Sequence, residues 1–142
     1  MVVPCILIVE DEPLILASLE AAVVDGGYLV IACSNAEDAR HQMEQPQRPI
    51  AALVTDIRLK GGDASGWDLA HRARILFPLI SVVYISGDSG ADWRSQGVPD
   101  SIFIQKPFAD AQLVTAVSIL LNAVGGGINS ASIEQKPVGN GE

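Results

Sequence analysis

The sequence predicts an α/β fold, a doubly wound five-stranded parallel sheet covered by helices on both faces. Five short runs rich in Val, Ile and Leu alternate with segments of helical periodicity, the signature of buried parallel strands joined by helical crossovers. Four of those runs end abruptly in carboxylate, hydroxyl or ammonium side chains, as strands do when their C-terminal ends open on a crevice. The length, 142 residues of which 49% are apolar, suits one domain with its own core.

Taken in order, Cys5-Ile6-Leu7-Ile8-Val9 is a fully apolar strand that runs into Glu10-Asp11-Glu12-Pro13. Pro13 suits the first turn of a helix, where its missing N–H costs nothing, and Gly26-Gly27 stops that helix. Tyr28 to Ala32 is a short strand, and Ser34-Asn35-Ala36-Glu37 reads as a capping box opening a helix to about Gln45. Pro46 and Pro49 bracket the loop before the third strand, Ile50 to Thr55, which ends in Asp56. A loop through Lys60-Gly61-Gly62-Asp63-Ala64-Ser65 leads to an amphipathic helix, Gly66 to Leu76, stopped by Pro78. Leu79 to Ser86 is the fourth strand, Ala91 to Gln96 a short helix ended by Gly97, and Ser101 to Gln105 the fifth strand. Lys106-Pro107-Phe108 follows, and Asp110 caps an apolar helix to about Val124. Right-handed crossovers leave few strand orders, and the flavodoxin-like order 2-1-3-4-5 is the one expected. The domain is expected to span residues 1–124, with 125–142 a flexible, Gly-rich polar tail.

Charge and composition exclude several functions. Lys+Arg 9 against Asp+Glu 17 gives a net charge of −8 with no basic stripe, which disfavours nucleic-acid binding. No leader is visible at the N-terminus and no run is long enough to span a bilayer, so a cytoplasmic location is expected. Cys5 and Cys33, opening one strand and following its neighbour, would sit about four residues of rise apart at ~3.3 Å each, too far to bridge. His41 and His71 lack ligand-spaced partners and read as helix-surface residues.

The expected strand order brings Glu10, Asp11, Asp56, Ser86 and Lys106 to one end of the sheet. Three carboxylates in one pocket are costly, since two unit charges ~4 Å apart repel by about 4 kcal/mol at an effective dielectric near 20. A hard divalent cation such as Mg²⁺ makes sense of that crowding. Asp56 can then serve as a carboxylate nucleophile toward a phosphoryl group, with Lys106 pairing a phosphoryl oxygen and Ser86 donating a hydroxyl.

With Val9-Glu10-Asp11-Glu12, Val54-Thr55-Asp56, Ile85-Ser86-Gly87 and Gln105-Lys106-Pro107-Phe108 in this order, the chain resembles a receiver domain of the two-component response regulators over roughly residues 4 to 124. The resemblance implies that Asp56 accepts phosphate from the histidine of a sensor kinase or a phosphotransfer protein. It implies that Asp11, Asp56 and the backbone carbonyl of Arg58 ligate Mg²⁺, with Glu10 acting through water. Ser86 and Phe103 become the switch pair, Lys106 the phosphoryl-binding cation, and Lys106-Pro107 a cis peptide. A stand-alone regulator is implied because no output segment follows Val124, signalling by protein contact, phosphate relay or self-association.

The chain also departs from the family pattern. The loop Arg58 to Gly66 is longer than the family's short Pro-Gly turn, and the stretch from Ser86 to Lys106 is short and Gly/Pro-rich, so the fourth helix is expected to be stunted. Arg58 and Asp88 lie near the phosphate and bear on its lifetime. Phe103 read alone is equally a core aromatic, and Trp67 and Trp93 read as packing or contact residues. A phosphorylation-independent pseudo-receiver is the main alternative. A haloacid-dehalogenase-type enzyme would place a second Asp two residues after the nucleophile, where this chain has Arg58. Flavin binding is disfavoured because Glu10 and Asp11 occupy the loop a phosphate would need.

Overall fold

A computed structural model of the chain describes residues 3–45, 48–60, 64–88 and 90–126. Pro46, the Gly61–Asp63 part of the long loop and the 127–142 part of the expected tail lie outside them. The elements are β1 (Cys5–Val9), α1 (Pro13–Asp25), β2 (Leu29–Cys33), α2 (Ala36–Met43), β3 (Ala52–Asp56), α3 (Gly66–Leu76), β4 (Ser81–Ser86), α4 (Trp93–Gln96), β5 (Ser101–Gln105) and α5 (Asp110–Gly126). The sheet is parallel throughout, in the order β2-β1-β3-β4-β5.

Successive side chains of a strand point to opposite faces, and the core divides accordingly into two layers. Ile6, Ile8, Ala52, Val54, Val83 and Ile85 pack on one face against Leu19 and Val23 of α1 and Leu113, Val117 and Leu120 of α5. Leu7, Val9, Leu53, Val82 and Tyr84 face the other way, against Ala39 and Met43 of α2 and Leu69, Ala70 and Ala73 of α3. Burial on both faces is why the strands read as unbroken apolar runs instead of alternating ones.

The structure shifts several expected boundaries. Asn35, not Ser34, is the N-cap of α2: its Oδ1 accepts from the Asp38 N–H at 2.7 Å and its Nδ2 donates to Asp38 Oδ2 at 3.1 Å. An amide offers both acceptor and donor, so one side chain satisfies the N3 N–H and the N3 carboxylate together. β2 begins one residue later than expected because the Tyr28 N–H is spent on the Val23 carbonyl at the end of α1. β4 begins at Ser81, since the Ile80 N–H closes a turn on Phe77 and leaves Leu79 exposed. Asp110 is the first residue of α5 and not its cap; Gln112 Oε1 accepts the Ala109 N–H at 3.0 Å instead. Pro13 does open α1, and the register Cys5↔Leu29 and Val9↔Cys33 separates two buried free thiols by the expected four residues. α4 is indeed stunted, a four-residue helix reached through a 3-10 turn at Gly90–Asp92.

Candidate functional site

The strand order brings the ends of β1, β3, β4 and β5 together. Glu10 follows β1, Asp56 closes β3, Ser86 closes β4, and Lys106 follows β5. Lys106 Nζ lies 3.0 Å from Glu10 Oε1 and 3.2 Å from Asp56 Oδ2, so one ammonium ties two strand ends together. Glu10 is fully buried, 0% exposed, and its second oxygen accepts the Glu12 N–H at 3.1 Å. Glu10, Asp11 and Asp56 each offer a carboxylate oxygen, and these oxygens lie within 4.8 Å of one another.

Electrostatics follow from that packing. Burial raises the pKa of Glu10, and its bonds to Lys106 and the Glu12 N–H only partly offset this. Burial by itself would lower the pKa of Lys106, but the hydrogen bond to Glu10 and the charges of Asp56 and Glu10 outweigh it, so the pKa is raised and the side chain stays an ammonium. The pocket thus holds three acids against one cation, all presented as oxygen donors, which is the donor set a hard cation prefers.

The surrounding loops fix these groups. Asp11 Oδ2 accepts the Lys60 N–H at 2.9 Å, tying the loop after β1 to the loop after β3. Ser65 and Asp68 form the capping box of α3, a Ser-x-x-Asp spacing readable in the sequence but not recognised there. Gly66 donates its N–H to the Ile57 carbonyl at 2.8 Å, and a Cβ at this position would collide with the Asp56 carbonyl oxygen. The helix therefore starts against the backbone of the strand end that carries Asp56, which only glycine allows.

Around Ser86 a short polar chain forms. Its hydroxyl donates to Asp88 Oδ1 at 3.3 Å, and Arg58 Nε lies 3.2 Å from the same oxygen. Phe103 on β5 is half-buried and stacks at 6.2 Å on Trp93, whose indole N–H donates to Ser101 Oγ at 2.9 Å. Trp67 packs instead on Tyr84, with ring centroids 4.7 Å apart. The Lys106–Pro107 peptide is cis. His41 and His71 are exposed on α2 and α3, and His71 Nε2 bonds the Gln96 carbonyl at 2.9 Å.

The family model described as the response regulator receiver domain matches residues 6–118. The chain belongs to this family. A receiver protein from Sinorhizobium medicae WSM419 is 43% identical with a TM-score of 0.81, covering 86% of this chain and 97% of that one. The receiver domain of the hybrid histidine kinase CckA is 26% identical with a TM-score of 0.69, over 82% of this chain and 98% of that one. Among curated relatives, an NtrX-like response regulator of Rickettsia conorii is 29% identical over 77% of this chain and 23% of its own length. The transcriptional regulatory protein AruR of Pseudomonas aeruginosa is 28% identical over 86% of this chain and 51% of its own length. This receiver domain thus spans about a quarter to about half of those relatives. Receiver domains are signalling modules that bind Mg²⁺ at an acidic pocket and interact with histidine kinases or phosphotransfer proteins. Among the described residues no helix is long and apolar enough to cross a membrane.

Proposed function

We propose that Asp56 is a phosphoacceptor that takes a phosphoryl group from a phosphohistidine on a sensor kinase or phosphotransfer protein. The observation that carries this reading is Lys106 joining the Glu10 and Asp56 carboxylates, with Asp11 beside them. An Asp56 carboxylate oxygen attacks phosphorus, an O–P bond forms, the N–P bond breaks, and the imidazole leaves with the electron pair and takes its proton from solvent. Asp11, Asp56 and the Arg58 carbonyl would hold Mg²⁺, with Glu10 reaching it through water. When bound, the ion would neutralise charge on the phosphoryl oxygens.

The chain's own side chains do the rest. Lys106 would pair a phosphoryl oxygen, and its bond to Glu10 works against the burial that raises the Glu10 pKa. Ser86 would exchange the Asp88 carboxylate for a phosphoryl oxygen, and Phe103, packed between Trp93 and Gly90, would follow it inward. This is a two-state switch: the phosphoryl group adds charge and three acceptor oxygens to one arrangement of Ser86 and Phe103. Moving such an equilibrium from 1:99 to 99:1 takes about 5.5 kcal/mol of differential binding. The altered surface then passes the signal by protein contact or by relay of phosphate, and the only chemistry the domain performs is its own phosphorylation and dephosphorylation.

The test is covalent labelling by a small-molecule phosphodonor, with and without Mg²⁺, on the wild type and Asp56→Asn, read by intact mass. One phosphoryl group on the wild type, dependent on Mg²⁺ and lost in the variant, is the expected result. No label under any condition would replace this reading with a phosphate-independent binding module.

A further inference from the structure

At the end of the sheet opposite Asp56, a cavity of about 270 Å³ lies between the start of β4, the turn before β5 and the last turns of α5. Leu79, Leu120 and Val124 give it apolar walls, and Arg74, Ser81 and Asp100 are its polar lining. Two of these polar groups bear on what the cavity can hold. Ser81 is 2% exposed, and its Oγ is the sole buried side-chain polar atom without a hydrogen-bond partner among the described residues. Strand alternation places Ser81 on the face shared with Val83 and Ile85, toward α5 and the cavity. An orphaned buried hydroxyl is uncommon and costly, so its persistence asks for a partner.

Arg74 supplies a positive charge to the same cavity. Its Nε donates to the Ile80 carbonyl at 2.8 Å, and among the described residues its guanidinium makes no ion pair. Burial pulls its pKa down, while the charge of Asp100 partly offsets that. A half-buried guanidinium and a buried hydroxyl lining one cavity are both complementary to an anionic oxygen.

We propose that this cavity binds a small monocarboxylate with an apolar body, its carboxylate held between the Arg74 guanidinium and the Ser81 hydroxyl. Leu79, 75% exposed, would cover the body together with Leu120 and Val124. Phosphate fits poorly: the apolar walls would leave its remaining oxygens unsatisfied, and the Asp100 charge weighs more heavily against a dianion. The inference is independent of phosphorylation at Asp56, which lies at the other end of the strands.

The experiment follows backbone amide NMR shifts of the full chain during titration with hexanoate, with hexanol and inorganic phosphate as comparison probes. Hexanoate shifts the amides of Ser81 and Leu120 saturably, with a Kd of about 1 mM or tighter, and the other two probes bind at least ~10-fold more weakly. Ser81→Ala and Arg74→Gln, the latter keeping a donor for the Ile80 carbonyl, each weaken hexanoate binding by about 10-fold. Ser81→Ala also folds at least as stably as the wild type, because it removes an unpartnered hydroxyl. The proposal is overturned by absence of saturation at ~10 mM hexanoate, by equal affinity for hexanol or phosphate, by unchanged affinity in both variants, or by clear destabilisation in Ser81→Ala.

Discussion

Replacing Asp11 by Asn is expected to stabilise the metal-free domain and to abolish most of its stabilisation by Mg²⁺. The oxygens of Glu10, Asp11 and Asp56 lie within 4.8 Å of one another, a separation at which two unit charges repel by about 3.5 kcal/mol at an effective dielectric of 20 and by about 0.9 in water. Asp11 is half-exposed, so its two repulsions sit near the lower figure, and attraction to Lys106 returns part of them. The net gain on removing its charge is then about 1 kcal/mol, or roughly 3 °C in Tm for a domain of this size. Asparagine keeps an acceptor for the Lys60 N–H, so the tie between the two loops survives the change. In the wild type, Mg²⁺ at 100 times its Kd adds about 2.7 kcal/mol. Thermal unfolding in chelator and in Mg²⁺, for both proteins, reads all four quantities. An Asp11→Asn variant that is less stable in chelator, or that keeps the wild-type response to Mg²⁺, would refute the account of a crowded acidic site built for a cation.

Three other perturbations probe the same framework. Lys106→Met strands the buried Glu10 carboxylate and should cost roughly 3 kcal/mol in urea unfolding near neutral pH. Because Glu10 already has a raised pKa in the folded state, this deficit should shrink as the pH falls and the carboxyl becomes neutral; a deficit that does not change with pH would contradict the assignment. Gly66→Ala forces a methyl group onto the Asp56 backbone, so it should destabilise by about 1–3 kcal/mol and slow phosphodonor labelling of Asp56, whereas unchanged labelling would show that the strand end tolerates displacement. Tyr84→Phe leaves the buried Val98 N–H without its acceptor and should cost about 1–3 kcal/mol at neutral pH. Burial pushes the Tyr84 pKa from 10.0 to about 12 in the folded state, so across that interval only the unfolded chain ionises, and the wild type alone loses on the order of 2–3 kcal/mol. The gap between the two proteins should therefore close between those pH values, and a constant gap in urea unfolding would argue against a protonated, buried Tyr84.

Much of this was legible because parallel strands buried on both faces announce themselves as unbroken Val/Ile/Leu runs, and because the site residues stand where those runs stop. Asp56, Glu10 and Lys106 needed only the strand order to be brought together. The errors came from local competition for backbone groups, which apolar patterning does not record. Tyr28 is as apolar in pattern as the strand it precedes, yet its N–H closes α1. Leu79 reads as strand and lies in a turn, because the Ile80 N–H finds Phe77 instead of a neighbouring strand. The Ser86–Asp88–Arg58 chain depends on loop geometry, and the charged residues could be placed near the site but not paired from spacing alone. The orphaned Ser81 was beyond reach of the sequence, where it is one more small residue at the edge of an apolar run.

The tie between Lys106 and Glu10 joins residues separated by 96 positions, from the first strand made to the last. During synthesis β1 can pair with β2 and β3 long before residue 106 leaves the ribosome, so the acidic strand ends exist for a time without their cation. Docking of β5 supplies it. A chain that has not yet added β5 therefore carries these strand ends without the ammonium that joins Glu10 to Asp56, and the acidic end of the sheet is neutralised only by the last strand to arrive.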